Sequence, residues 1–340
     1  MDLMKAAFLN APKKISIDSI DLPEPARGEV RIKLQQVGIC GSDVHLFLGH
    51  RKLAYPAIIG HEGFGIIDKI GVGVRNMQVG SRVVIEPNFP CRNCPYCLSG
   101  KGNICINKGV LGLNRPGCFA EYVCVPADFA WHIPDEIRDE DAVVIEPMAV
   151  AYHALFASKA RPGDTIAIIG LGAIGMLLTH LATRLGYKVL VTEIQAEKVK
   201  MAREMGAIVV EVSGNLQVQS ETLAAKWSEE NVSAIFECAG SDVTVSLATA
   251  SAPRGSEIIL VGLSEKQATF QPLKIAREGI TIVPSIIYDH PFDFQRIIQL
   301  ILSKTITPGF VISSCESFIN LQMALEKAAK GQACKIIIEI

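Results

Sequence analysis

The 340-residue sequence predicts an α/β protein in two parts, a β-rich part followed by a doubly wound parallel sheet of six strands. Three observations carry this. Six short runs rich in Ile and Val recur between residues 165 and 287, and strands buried on both faces of a parallel sheet read as such apolar runs. Stretches of helical character separate them, as in a βαβ series. Upstream of about residue 130 the chain holds β-rich runs punctuated by Gly, Pro and Asn, and no long amphipathic helix.

Taken in order, VRIKLQQVGI, FGIIDKIG, SRVVIEP and AEYVCVPA are the strands of the first part. The helix DAVVIEPMAVAYHALFAS leads into the alternating series. That series runs TIAIIG (strand), AIGMLLTHLATRLG (helix), KVLVTEI (strand), AEKVKMAREMG (helix), AIVVEV (strand) and QSETLAAKWS (helix). It continues with SAIFECAG (strand), VTVSLATASA (helix), SEIILVGL (strand), a short helix at LKIAREG and ITIVPSII (strand). The tail adds two helices, FDFQRIIQLILSK and SFINLQMALEKAAKG, and a last strand CKIIIEI, and is expected to return to the first part.

A balance of 33 Lys and Arg against 35 Asp and Glu, net −2, predicts no nucleic-acid partner and no membrane surface. The N-terminal MDLMKAAFLNAPKK lacks the apolar core of a signal peptide, so a cytoplasmic protein is expected. The run TIAIIGLGAIGMLLTHLAT is uncharged and approaches the ~20 residues that cross a bilayer. Its clustered glycines, its His and its three Thr favour a strand, turn and helix instead.

Within that run, Gly170–Gly175 matches G-x-G-x-x-G after a strand and at the start of a helix, the context of a dinucleotide site. Gly170 allows the tight turn, Gly172 lets the backbone approach a pyrophosphate, and Gly175 lets helix and strand pack closely. With Ala173 and Ile174 they present free N–H groups and a positive dipole end to the phosphates. A tight turn without a ligand is the plain alternative. Glu193 ends the second strand, where a carboxylate accepts hydrogen bonds from ribose hydroxyls and repels a 2′-phosphate. This favours NAD over NADP, although a solvated strand-end Glu reads the same. Lys198 is placed to reach the ribose or to form a solvated helix face.

Four of the ten cysteines, Cys91, Cys94, Cys97 and Cys105, fall in CRNCPYCLSGKGNIC. Four thiolates make a closed tetrahedral zinc site, with an iron–sulfur cluster as the competitor. A closed set has no open position for substrate, so its expected role is to staple the loop. Chemistry is expected elsewhere: at Cys40, Ser42 and His45 in GICGSDVH, at His61 and Glu62 in GHEGFG, and at Glu146 in VIEPMAVAYH. A Cys, a His and one or two carboxylates suit a zinc site with an open position. A structural His61 and a free buried Cys40 are the alternatives.

GHEGFGIIDKIGVGV fits G-H-E-x-x-G-x5-G-x2-V, and with ICGSDVH, the cysteine lobe and GLGAIG it resembles the zinc-containing medium-chain alcohol dehydrogenases. The likeness is strongest to the sorbitol, butanediol and threonine dehydrogenase branch. It implies a GroES-like catalytic domain at 1–148 and 289–340 and a Rossmann NAD-binding domain at 149–288. It further implies two zinc ions per chain. Cys40 and His61 hold the catalytic one, with Glu62 and Glu146 as ligands or close neighbours; the four lobe cysteines hold the structural one. Glu62 and Glu146 are expected to share the inner position, because two carboxylates beside a thiolate leave zinc anionic. Cys118, Cys124, Cys238, Cys315 and Cys334 match no ligand position and are expected to be buried thiols.

The implied reaction moves a hydride between a secondary alcohol or its ketone and NAD. Zinc stabilises the alkoxide, and Ser42, the nicotinamide ribose and His45 relay the proton. Val261, Gly262 and Leu263, with the segment at Ser285 and Ile286, are expected to line the carboxamide. Ile287 before Tyr288 replaces the Arg of sorbitol-type members, which favours a small vicinal diol, then a polyol, then a threonine-like amino alcohol. Phe47, Leu48, Tyr55 and Phe119 are candidates for the pocket or for packing. A homodimer or homotetramer is implied. The competing readings are a catalytically silent dinucleotide-binding relative and a zinc-free reductase.

Overall fold

A computed structural model describes residues 2–340. The chain forms two compact units. One runs through Glu146 and takes in Asp289–Leu302 and Thr307–Ile340; the other is Pro147–Tyr288 with Ser303–Ile306.

The first unit is built on a sheet ordered Ile312–Ser317, Lys335–Glu339, Glu29–Ile39, Glu62–Ile70, Arg82–Ile85 and Ala130–His132, with Tyr122–Pro126 also paired to Glu29–Ile39. Val30, Ile32, Leu34, Val37 and Ile39 of the central strand lie in one core with Val83, Ile85, Val123 and Val125. The last strand of the chain pairs antiparallel with that central strand, Ile336 opposite Ile39 and Ile338 opposite Val37. This pairing carries Lys335 to the end of the strand that leads into Cys40. Several elements were not anticipated, and two of them show why. One is the N-terminal hairpin of Leu3–Ala11 and Lys14–Asp21. The other is the strand Ile312–Ser317, whose Ser- and Cys-rich sequence has little β character but which is held parallel to Lys335–Glu339.

The second unit is a six-stranded parallel sheet ordered Ile208–Val209, Lys188–Thr192, Thr165–Ile169, Val232–Glu237, Glu257–Leu260 and Thr281–Pro284. All six lie where the Ile- and Val-rich runs predict. The helix Leu216–Glu229 starts three residues before the run read from the sequence, because the Asn215 side chain accepts from the Val218 N–H at 3.0 Å and caps it there. The uncharged run divides into the strand Thr165–Ile169, the glycine turn and the helix Ala173–Arg184. No helix among the described residues is long and apolar enough to cross a membrane.

Candidate active site and metal centres

In the lobe, Cys94 starts the short helix Pro95–Leu98, and its sulfur accepts from the Cys97 N–H at 3.5 Å. Cys105 Sγ accepts from the Cys91 N–H at 3.2 Å and lies 3.9 Å from Cys94 Sγ. All four sulfurs lie within 4.8 Å of one another. Sulfurs at ~2.3 Å from one tetrahedral ion would sit ~3.8 Å apart, so the set fits a single zinc better than a cluster whose thiolates hold different irons. The Cys97 N–H and its neighbours hold the Cys94 thiol down at about 6, while burial pushes Cys97 up to about 12.

The second cluster joins segments far apart in sequence. Cys40 precedes the helix Gly41–Phe47, His61 follows Gly60, and Glu62 opens the strand Glu62–Ile70. Donor atoms of Cys40, His61 and Glu62 lie within 4.8 Å of one another. Asp43, fully buried, ties the pieces together. Its carboxylate accepts from the Cys40 N–H at 3.0 Å and the Gly60 N–H at 3.2 Å, and lies 3.2 Å from His61 Nδ1. With Nδ1–H donated to Asp43, a ring that yields its other proton to a metal would present its Nε2 lone pair, the arrangement that orients a metal-binding imidazole. Burial opposes a proton on His61, but the charge and hydrogen bond of Asp43, with help from Cys40, hold the ring well above the ordinary His range. Ser42 Oγ is 3.4 Å from His61 Nε2. His45, one helical turn on, is exposed beside His50.

Glu62 is fully buried, and both its oxygens contact Lys335 Nζ, at 2.7 and 2.6 Å; Nζ also donates to the Ile39 carbonyl at 3.1 Å. Burial disfavours the ammonium, yet the charge of Glu62 outweighs it and lifts Lys335 above the ordinary Lys range. The ion pair changes the charge count expected from sequence. Cys40, Glu62 and Glu146 are not alone in the pocket, because Lys335 supplies a cation. Glu146, on the helix Ile145–Ala157, is buried, and its charge acts on both Cys118 and Lys335. It does not join the donors that lie within 4.8 Å of one another.

Asp43 and Lys335 were missed in the sequence. Asp43 had a signal, since an acidic residue three positions after a helix-starting Cys can cap the turn. Lys335 had none, being brought in by strand pairing. Of the pocket candidates, Phe47 and Phe119 are buried in the core, Leu48 packs against it, and Tyr55 is partly exposed. The unassigned cysteines are not uniformly buried. Cys118 is, but Cys315 is exposed, because it lies on the outward face of the alternating strand Ile312–Ser317.

In the parallel sheet, Gly170 has φ +89°, and a Cβ there would come 2.7 Å from Ala239. A Cβ on Gly175 would sit 2.0 Å from the Gly170 carbonyl oxygen, whereas nothing lies within 4 Å of one on Gly172. The turn is thus closed where helix meets strand and open on the side where a phosphate would approach, with Ala173 and Ile174 in the first helical turn. The Glu193 carboxylate sits against it, accepting from the N–H groups of Leu171 (2.7 Å), Ile194 (2.7 Å) and Gln195 (3.0 Å). Lys198 is buried, so the solvated-face alternative does not hold. At the neighbouring strand ends, the Val261 and Gly262 N–H groups donate to the Glu237 carbonyl, and Leu263 is 71% exposed. Ser285 is buried with no hydrogen-bond partner for its hydroxyl, and Ile287 has φ +46°. An orphaned buried hydroxyl and a strained β-branched residue at the carboxyl end of a parallel sheet are what a ligand site tolerates.

Residues 26–135 match the alcohol dehydrogenase GroES-like domain, and residues 173–303 match the zinc-binding dehydrogenase domain. The sorbitol dehydrogenase of Bacillus subtilis strain 168 is 30% identical over 98% of this chain and 97% of its own. The structure of the alcohol dehydrogenase rspB of Escherichia coli CFT073, complexed with NADH, superposes with a TM-score of 0.91 at 30% identity, covering both chains fully. A protein of Sinorhizobium meliloti 1021 described as a zinc-binding dehydrogenase, bound to NADP, gives 0.89 at 30% identity over the full length of both. Two domain matches in the expected order, full-length relatives and a Cys–His–Glu cluster beside a sulfur-only one make this chain a member of the zinc-containing medium-chain alcohol dehydrogenase family.

Proposed function

We propose that the protein oxidises a small secondary alcohol, a vicinal diol first and a polyol second, or reduces the matching ketone, using zinc at Cys40, His61 and the Glu62–Glu146 pair and NAD at the glycine turn. The observation that carries this is the gathering of Cys40, His61 and Glu62 donors within 4.8 Å, next to a hydroxyl. The sulfur-only lobe, by contrast, would close a tetrahedral ion with its four thiolates and leave no position for a substrate.

Zinc would supply Lewis acidity that makes an alcohol O–H acidic near neutral pH, and NAD would supply the hydride acceptor. The chain's own groups do the rest. Asp43 fixes the ring of His61, so that Nε2 faces the same point as the Cys40 sulfur. Ser42 both donates and accepts, and hands the substrate's proton onward; exposed His45 exchanges it with water. Lys335 neutralises Glu62, so that a thiolate and two carboxylates share a pocket without leaving a divalent ion in a net anionic shell. Which carboxylate is inner-sphere then depends on whether Glu62 stays with Lys335, which favours Glu146 or a water for that place.

Glu193, pressed against the turn, supports NAD over NADP, because its charge repels a 2′-phosphate. A partly buried Ile287 in place of a donor fork supports a less polar substrate than sorbitol. The test is a panel of 2,3-butanediol, sorbitol, xylitol and threonine with NAD and with NADP, followed by absorbance of the reduced cofactor on protein of known zinc content. Turnover of threonine alone, or with NADP alone, refutes the corresponding half of the proposal; no turnover by protein carrying two zinc ions refutes it whole.

A further inference from the structure

Glu237 ends the strand Val232–Glu237 and is fully buried, yet the proposed chemistry gives it no task. Its Oε1 accepts from the N–H groups of Ala239 (2.9 Å) and Gly240 (3.0 Å) and from the Thr244 hydroxyl (2.8 Å). Three donors converging on one oxygen suit an ionised carboxylate. Burial pushes its carboxyl above the ordinary range, against those donors, and no cationic side chain acts on it. A lone buried charge is costly. The first turn of the helix Asp242–Ser251 offsets part of that cost, but it explains only how the charge is tolerated.

Its place in the sheet points to a use. Glu193 and the strand Lys188–Thr192 lie on one side of the glycine turn; Val232–Glu237 and then Glu257–Leu260 lie on the other. With the adenosine ribose at Glu193 and the pyrophosphate at the turn, the nicotinamide half must extend the opposite way, across the end of the strand that Glu237 closes. The carboxylate lies directly beneath the next strand end, since a Cβ on Gly262 would come 2.8 Å from Glu237 Oε2.

We propose that Glu237 is the counter-charge of the oxidised nicotinamide ring and makes the site prefer NAD+ to NADH; this rests on the dinucleotide reading above. The oxidised ring is a cation. Once it has accepted a hydride, one proton with two electrons, it is neutral, and the carboxylate no longer attracts it. One unit charge acting over about 10 Å at an effective dielectric near ~20 changes affinity roughly tenfold.

Glu237→Gln removes the charge and keeps an oxygen for the three donors. The experiment measures Kd of the zinc-loaded full chain for NAD+, NADH and ADP-ribose by calorimetry. Expected is a roughly tenfold weaker Kd for NAD+, with NADH and ADP-ribose changed by less than about twofold. Thr244→Lys, which sets an ammonium beside the same carboxylate, carries the test if Glu237→Gln does not fold, and should lower the NAD+ to NADH preference in the same direction. Three affinities that fall together, or none that moves, overturn the counter-charge role and leave a structural staple. A wild-type protein that binds none of the three overturns the dinucleotide reading itself, and this role with it.

Discussion

Lys335→Met keeps the aliphatic stem and deletes the ammonium that both oxygens of Glu62 contact. Lys335 is 2% exposed and Glu62 0%, so the carboxylate left behind has neither a cation nor water. Removing one partner of a buried pair costs about 3–5 kcal/mol. For a domain of about 150–250 residues each kcal/mol moves Tm by ~2–4 °C, so the first unit should melt roughly 10 °C lower. The fall should be largest in chelator-treated protein. With zinc present the ion itself offers Glu62 a positive charge, and the loss should shrink by about half. Calorimetric scans of both forms measure this. The double variant Lys335→Met, Glu62→Gln should recover most of the lost stability, because a buried pair replaced by neutral groups of similar volume is often close to neutral. A Tm that stays within ~2 °C in the chelated single variant would show that Glu62 is not held by this charge.

Other perturbations separate the remaining roles. Ser42→Ala should keep two zinc ions and NADH affinity while turnover falls about 10²-fold or more; unchanged turnover would remove Ser42 from the proton path. Cys97→Ser should lower metal content from two ions to one, measured by atomic emission, with the Cys40 site still loaded. Zinc uptake by the metal-free lobe should release protons at neutral pH, because Cys97, pushed up to about 12, is still protonated there; affinity should therefore rise with pH, and a weakly buffered titration with a pH electrode reads it. Gly172→Ala puts a methyl group into open space, so thermal stability should hold while NADH affinity, followed by cofactor fluorescence, drops at least about tenfold; a tight complex would place the pyrophosphate elsewhere.

The sequence alone determined whatever is encoded by near neighbours. The six Ile- and Val-rich strands, the turn at Gly170–Gly175 and the lobe at Cys91–Cys105 are local patterns, since strand burial, a left-handed glycine and four thiols within fifteen residues each need only adjacent chain. The tertiary structure decided what depends on meetings between distant segments. Nothing near Lys335 marks it as the partner of Glu62; the antiparallel pairing of Lys335–Glu339 with Glu29–Ile39 does that, across most of the chain. Asp43 became the brace of His61 because the Gly60 N–H and the His61 ring are brought back to it from a distant segment, and Glu237 came to lie beneath Gly262 because the strand Glu257–Leu260 pairs alongside its own. Charge balance in a low-dielectric interior is a property of which groups come together in space, and sequence spacing does not carry that information.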